Sequence, residues 1–98
     1  MAYHFLAEKR GEEELEPLSR ALSRLEVIEV FPVEISGDLV AIGISIPFKI
    51  VDRARFPDEL RALLSFLICE RDFQVIDLYT GQEVTAAEVP SMAQRISS

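Results

Sequence analysis

The chain has 98 residues, of which 49% are hydrophobic, so it is long and apolar enough to fold as one domain without disulfides or a metal. Seventeen acidic residues against ten basic residues give a net charge of −7, which argues against binding nucleic-acid phosphates or an anionic membrane through a basic face. One cysteine excludes an internal disulfide, and residues 1–9 lack a signal-peptide pattern, so we expect a cytoplasmic protein.

The first third of the chain predicts a strand, a helix and a second strand. Apolar and polar side chains alternate over residues 2–8, as in a half-buried strand. Leucines recur at three- and four-residue spacing over residues 12–25 and predict a helix, whose first turn must contain Pro17. The β-branched segment 26–35 predicts a strand, in which Pro32 favours an edge position or a bulge.

The most regular predicted element covers residues 39–51 and follows a hairpin turn at 36–38. Every second residue from Val40 to Ile50 is large and apolar, and this period of two predicts a strand with one buried face. The length of the pattern favours a central position in the sheet, although Pro47 must lie where no backbone donor is needed.

A second helix and a further strand are predicted next. Residues 56–72 carry an apolar leucine stripe, and Pro57 suits the first helical turn. Residues 73–79 predict a strand that ends at the turn formed by Thr80 and Gly81.

The sequence divides into a single α+β domain at residues 1–84 and a segment at 85–98. We expect this segment to form one short helix or a partly ordered tail. Thr85 and Glu88 have the spacing of a capping box, whereas Pro90 favours a helix that opens one turn later.

The predicted order β-α-β-β-α-β is that of the ferredoxin-like sandwich, an α+β fold. We expect a four-stranded antiparallel sheet with the first and third strands in its centre and two helices on one face. If residues 2–8 do not form a strand, the order becomes αββαβ with a three-stranded sheet.

The sequence predicts no catalytic, cofactor or metal site. His4 is the only histidine and has no recognisable partner for acid–base chemistry. Cys69 lies late in an apolar helix, where we expect a buried small hydrophobe rather than a nucleophile. The acidic residues lack the spacing of a calcium loop, and the four glycines form no phosphate-binding loop.

Two surfaces are predicted to contact a partner. The first is an acidic cluster around the start of the first helix, formed by Glu12, Glu13, Glu14 and Glu16. The second is the sheet face that the helices leave uncovered, which carries Ala41, Gly43 and Ser45 and, depending on register, Ile28 and Val30.

These features favour a non-catalytic protein-binding module. By size and charge, we expect an immunity or inhibitor protein that neutralises a basic toxin or nuclease, with a homodimer through the open sheet face as a further possibility. A dimeric domain that senses a small molecule is the first alternative, since Gly11 lies at the first strand–helix junction. A small dimeric enzyme that uses Tyr3, His4 and Tyr79 is the second alternative.

Overall fold

The computed structural model describes residues 2–10, 15–35, 38–50 and 54–97. Within these ranges the chain forms a five-stranded sheet and three α-helices, so the predicted α+β class is confirmed. The elements are β1 (Ala2–Arg10), α1 (Leu15–Leu22), β2 (Glu29–Ile35), β3 (Leu39–Pro47), α2 (Phe56–Ser65), β4 (Gln74–Asp77), β5 (Gln82–Val84) and α3 (Val89–Ser97). Phe48–Ile50 and Ala86–Glu88 are 3₁₀ turns, and Phe66–Glu70 continues α2 as a π-helical segment.

The sheet is antiparallel throughout, with the strand order β2-β3-β1-β4-β5. The first strand pairs with both β3 and β4, so the αββαβ alternative is wrong. β1 and β3 lie inside the sheet, as predicted for a ferredoxin-like sandwich. The agreement with that fold is only rough, because β5 extends the sheet by one strand and α3 adds a third helix.

The period of two in β3 places its large side chains on the face that the helices cover, which we name the inner face. Val40, Ile42, Ile44 and Ile46 are all at most 3% exposed. The strand ends at Pro47, earlier than predicted, because proline has no N–H to continue the ladder. Phe48 instead begins a 3₁₀ turn and is 38% exposed.

The three described helices supply the other half of the core. Apolar side chains at helical spacing pack on the inner face, and burying each contributes about 1.5–3 kcal/mol relative to leaving it exposed. The buried helical side chains are Leu18 from α1, Phe56, Leu60, Leu63 and Leu64 from α2, and Val89, Met92 and Ile96 from α3. Among these helices, none combines the length and the apolar character needed to cross a bilayer.

The segment after β5 uses both of the local signals predicted for it. The Thr85 side chain accepts the Glu88 backbone N–H and the Glu88 carboxylate accepts the Thr85 backbone N–H at 3.2 Å, which forms the capping box of the 3₁₀ turn. The carboxylate also accepts the Thr85 hydroxyl at 3.0 Å, so it receives two bonds from Thr85. These two bonds, followed by Arg95, lower the pKa of Glu88 from its ordinary value. Pro90 then occupies the first turn of α3, where its missing N–H costs nothing.

Candidate functional site

One register row crosses the sheet on the face opposite the helices, which we name the outer face. Phe31 pairs with Gly43, Gly43 with Leu6, Leu6 with Ile76, and Ile76 with Glu83. Side chains alternate along each strand, so residues opposite one another in the ladders lie side by side on the same face. These five residues, which we name the outer row, are apolar or glycine except for the terminal Glu83.

Phe31 lies across Gly43. A Cβ atom placed on Gly43 would come within 2.5 Å of Phe31 Cε2 and 2.6 Å of Phe31 Cζ, so the ring occupies the space that a side chain would need. A glycine in the middle of a strand allows a close approach, and the approaching group is this aromatic ring. Phe31 remains 48% exposed, because no helix covers this face of the described sheet.

Carboxylates border the outer row. Glu8 lies beside Leu6 along β1, Glu29 precedes Phe31 by two residues on β2, and Glu83 ends the row on β5. Glu29 and Glu83 are exposed, and Glu8 is half-buried. Arg10, at the far end of β1, is the basic residue on this face among the described strands. The apolar row is therefore set in a surface of mainly negative charge.

Leu78 extends the apolar surface beside the row. Its backbone N–H donates to the His4 carbonyl at 3.1 Å, which continues the pairing of β1 with β4 by one residue. His4 is exposed on the outer face, and Leu78 is 55% exposed. Large apolar side chains are therefore present at both ends of this face, Phe31 on β2 and Leu78 after β4.

The predicted sheet-face residues lie where expected, but they are not the groups that a partner would touch first. Ala41, Gly43 and Ser45 are on the outer face, yet Ala41 is 5% and Ser45 9% exposed because larger neighbours surround them. The accessible apolar group is Phe31. Sequence reasoning missed it, although a glycine in the middle of a regular strand was the signal for a bulky neighbour.

The placement of Ile28 and Val30 on this face is wrong. Val30 pairs with Ile44, an inner-face residue, so the register of β2 directs Val30 toward the core. Ile28 precedes the strand and is 4% exposed within the core cluster. The same register brings Glu29 and Phe31 to the outer face. A one-residue difference in strand pairing exchanges the two faces, and the sequence of β2 alone does not fix it.

The predicted acidic cluster falls mostly outside the described residues. Glu12, Glu13 and Glu14 lie in the range 11–14, which the structure does not describe, and Gly11 lies there too. Glu16 belongs to α1, but its side chain is also outside the described part. The acidic cluster therefore stays a prediction.

A tyrosine pair surrounds a buried carboxylate at one end of the sheet. Tyr3 donates its hydroxyl to Asp77 Oδ2, and Asp77 is only 2% exposed. Asp77 Oδ1 accepts the backbone N–H of Tyr79 at 2.8 Å and that of Thr80 at 3.3 Å. The Tyr79 ring stacks on Tyr3 with a centroid distance of 5.5 Å and an angle of 26° between the rings.

The chemistry of this cluster is that of a structural anchor. Burial, and then the bond to Asp77, raise the pKa of Tyr3 well above its ordinary value, so the phenol keeps its proton and acts as a donor. The structure brings together two of the three residues proposed for an enzyme, Tyr3 and Tyr79. The third, His4, lies on the opposite face of β1, away from both rings.

A second carboxylate fixes the chain before β2. Glu59 Oε1, on α2, accepts the backbone N–H groups of Glu26, Val27 and Ile28 at 2.9, 3.0 and 3.0 Å. Consecutive N–H groups that converge in this way form an anion-binding nest. Here the nest holds a side chain of the same chain, and it sets the position from which β2 enters the sheet.

Cys69 is exposed, which corrects the prediction of a buried thiol. It lies in the π-helical segment Phe66–Glu70, which the Arg71 N–H closes by donating to the Phe66 carbonyl five residues back at 3.0 Å. At helical spacing Cys69 lies seven residues after the exposed Ala62, on the side of the helix away from the leucine stripe, which accounts for its exposure. In the part of the chain that the structure describes, no group of three or more His, Cys, Asp or Glu side chains could hold a metal.

The comparisons with known proteins found no matching family model, no matching curated protein and no matching solved structure. The outer face and the Tyr3–Asp77–Tyr79 cluster are therefore interpreted from their own geometry.

Proposed function

We propose that the chain is a non-catalytic protein-binding module that docks a basic protein on its outer face. Within this class we favour an immunity or inhibitor protein that neutralises a basic toxin or nuclease. The observation that supports the proposal most directly is the outer row, in which the half-exposed Phe31 lies over Gly43 among carboxylates.

Phe31 has the properties of an interface anchor. Aromatic groups near the centre of an interface carry a large share of binding energy, particularly when they are already held in the bound orientation. Contact with Gly43 restricts the Phe31 ring before any partner arrives. Less side-chain entropy is then lost when a partner contacts the ring.

The charge around the row favours a basic partner. Glu8, Glu29 and Glu83 would meet cationic side chains across the interface, and the net charge of −7 would steer such a partner toward the chain. A second copy of the chain would bring like charges together. A homodimer through this face is therefore the less favoured occupant.

The test starts from affinity capture in cells that make the protein, with the wild-type chain and Phe31→Ser as parallel baits. A captured protein is then purified, and its Kd is measured by calorimetry against wild type, Phe31→Ser and Phe48→Ser. Phe48 is a matched control, because it is also an exposed phenylalanine but lies after β3 and outside the outer row. We expect Phe31→Ser to raise Kd by roughly 30-fold or more and Phe48→Ser to leave it unchanged.

Charge reversal separates a basic partner from the other occupants. Glu29→Lys with Glu83→Lys should slow association with a basic protein and flatten its dependence on salt. Equal Kd values for the Phe31 and Phe48 variants would contradict the proposal. Sedimentation of the pure chain as a Phe31-dependent dimer would assign the face to a second copy instead, and a rise in melting temperature with a metabolite would favour the sensing domain.

A further inference from the structure

The end strand β2 exposes three consecutive apolar residues. Phe31 is 48% and Val33 57% exposed, and Pro32 between them is exposed as well. Among the described strands, β2 pairs only with β3, so the other side of its backbone is an edge of the sheet. An edge strand with unpaired backbone groups and apolar side chains favours pairing with the same strand of another copy.

The ladders show which backbone groups of β2 face this edge. The residue after β4 donates its N–H to the His4 carbonyl, so even-numbered residues of β1 direct their backbone groups toward β4 and odd-numbered residues toward β3. Through the registers of β1 with β3 and of β3 with β2, this alternation makes Phe31 and Gly43 a hydrogen-bonded pair. The backbone groups of Val30 and Pro32 therefore face away from β3.

Most of the donors that an added strand would need are unavailable along this edge. Pro32 has no N–H, and Ile28, just before the strand, already donates its N–H to Glu59 Oε1 at 3.0 Å. Val30 provides the remaining outward donor between them. The bulge that follows Pro32 inserts Val33 as one extra residue, so a regular strand beside β2 would lose its register there.

The opposite end of the sheet differs in length. β5 has three residues, and the next N–H, of Thr85, already donates to the Glu88 carboxylate at 3.2 Å. A strand this short offers few backbone groups to a second chain. The long apolar edge is therefore that of β2, and it is the one that carries a proline and a bulge.

We propose that Pro32 and the bulge at Val33, which we name the edge block, prevent β2 from pairing with β2 of a second copy and keep the chain monomeric. Without the edge block, two β2 strands could pair antiparallel about a two-fold axis and join two sheets into one. The edge block is independent of the proposed function, because it acts through the backbone of β2 and not through the side chains of the outer row.

Removing both features tests the edge block. Pro32→Val restores the N–H, and deletion of Val33 removes the bulge but leaves Glu34 opposite Ala41, so the pairing with β3 is kept. Pro90→Val is the matched control, because Pro90 is also exposed but lies in the first turn of α3. In sedimentation velocity, we expect wild type and Pro90→Val to remain at the monomer mass. The variant without the edge block should shift to the dimer mass or above as protein concentration rises, and Pro32→Val alone should shift less.

Hydrogen exchange shows whether the copies meet at the edge. The Val30 amide should exchange at least about tenfold more slowly in the associated variant than in wild type, because it gains a partner across the new strand pair. A wild-type chain that already associates with protection of Val30 would overturn the proposal, as would a variant that stays monomeric. If the double variant does not fold, a monomeric Pro32→Val has the same consequence.

The Phe31→Ser substitution separates the edge from the outer face. If it abolishes association of the double variant while the Val30 amide still exchanges quickly, the copies meet through the outer row and the edge block is wrong. If a basic partner is later found not to depend on Phe31, the proposed function fails, and the result for the edge block is unaffected.

Discussion

Residues on both faces of β3 have low solvent exposure, but the cause differs between the two faces. On the inner face, Ile44 is fully buried because helices pack against it, and its neighbour Ser45 on the outer face is only 9% exposed with no helix above it. The residues opposite Ser45 in the two ladders are the larger His4 and Glu29, whose side chains lie beside it on this face. On the inner face, low exposure therefore identifies core residues. On the outer face it identifies small residues that lie below their neighbours, and the accessible groups there are Phe31, Leu6 and Ile76.

The largest expected effect tests this difference directly. Ile44→Ala should reduce the free energy of unfolding by about 2–5 kcal/mol, because it leaves a cavity beneath the helices. Ser45→Ala should change it by less than about 0.5 kcal/mol, because the site is a surface position despite its low exposure. Urea denaturation of the two variants measures both values. Similar losses would mean that the outer face is packed as tightly as the core.

A second prediction concerns the polar anchor at the end of the inner face. Tyr3→Phe removes the donor to Asp77 Oδ2 and should cost about 1–3 kcal/mol, because that oxygen is buried. The cost should depend on pH. The pKa of Tyr3 is raised above its ordinary value of 10.0, so above about pH 10 the unfolded chain loses a proton that the folded chain keeps.

This proton difference makes the folded state less stable as pH rises beyond 10. The contribution of Tyr3 is fully present below that pH and is lost as pH rises toward the folded pKa. The stability gap between wild type and Tyr3→Phe should therefore narrow in alkaline solution, as followed by denaturation at pH 8 to 11. Tyr79→Phe keeps the Tyr3–Asp77 bond and serves as the control. If the stability difference between wild type and Tyr3→Phe stays constant with pH, Tyr3 does not cause the loss of stability in alkaline solution.

How much the sequence predicts also differs between the two faces. The period of two in β3 predicts the inner face from Val40 to Ile46, because burial under helices selects large side chains at every second position. The outer face depends on pairing between strands. The position of Phe31 over Gly43 requires the register of β2, to which the bulge between Pro32 and Glu34 and the contact of Glu59 with residues 26–28 both contribute.

Local sequence patterns do not predict the Tyr3–Asp77 hydrogen bond either. Tyr3 and Asp77 are 74 positions apart, and the sequence around each residue does not indicate its partner. Cys69 shows the converse limit: the apolar composition of the segment favoured burial, whereas its helical spacing from the exposed Ala62 places it opposite the leucine stripe. The strand β5 has three residues, too few to show a period. Patterns predict the layers of this fold, whereas contacts between distant segments create its candidate site.

The contact of Glu59 with the backbone of residues 26–28 offers a smaller test of what fixes the register of β2. Glu59→Ala leaves the three backbone donors of residues 26–28 without their carboxylate, and Glu59→Gln keeps one carbonyl acceptor. We expect Glu59→Ala to cost about 1–2 kcal/mol, since these donors are partly exposed and water replaces the lost acceptor in part. Glu59→Gln should cost less. If this Glu59 contact fixes β2, the hydrogen-exchange rates of the β2–β3 amides should rise in Glu59→Ala and stay near wild type in Glu59→Gln.

The smallest expected effect is that of Gly43→Ala on stability, and its sign should depend on whether Phe31 is present. It therefore tests the contact between these two residues of the outer row. In the wild-type chain, Gly43→Ala should destabilise by about 1 kcal/mol, because the new Cβ displaces the Phe31 ring from its contact. In a Phe31→Ser background the space is free, and the same substitution should stabilise by about 0.5 kcal/mol, since alanine loses less backbone entropy than glycine in a strand. A double-mutant cycle measured by urea denaturation gives the coupling between the two positions. Additive effects would show that the ring does not rest on Gly43 in solution, and Phe31 would then not be a pre-positioned anchor even though the fold itself stands.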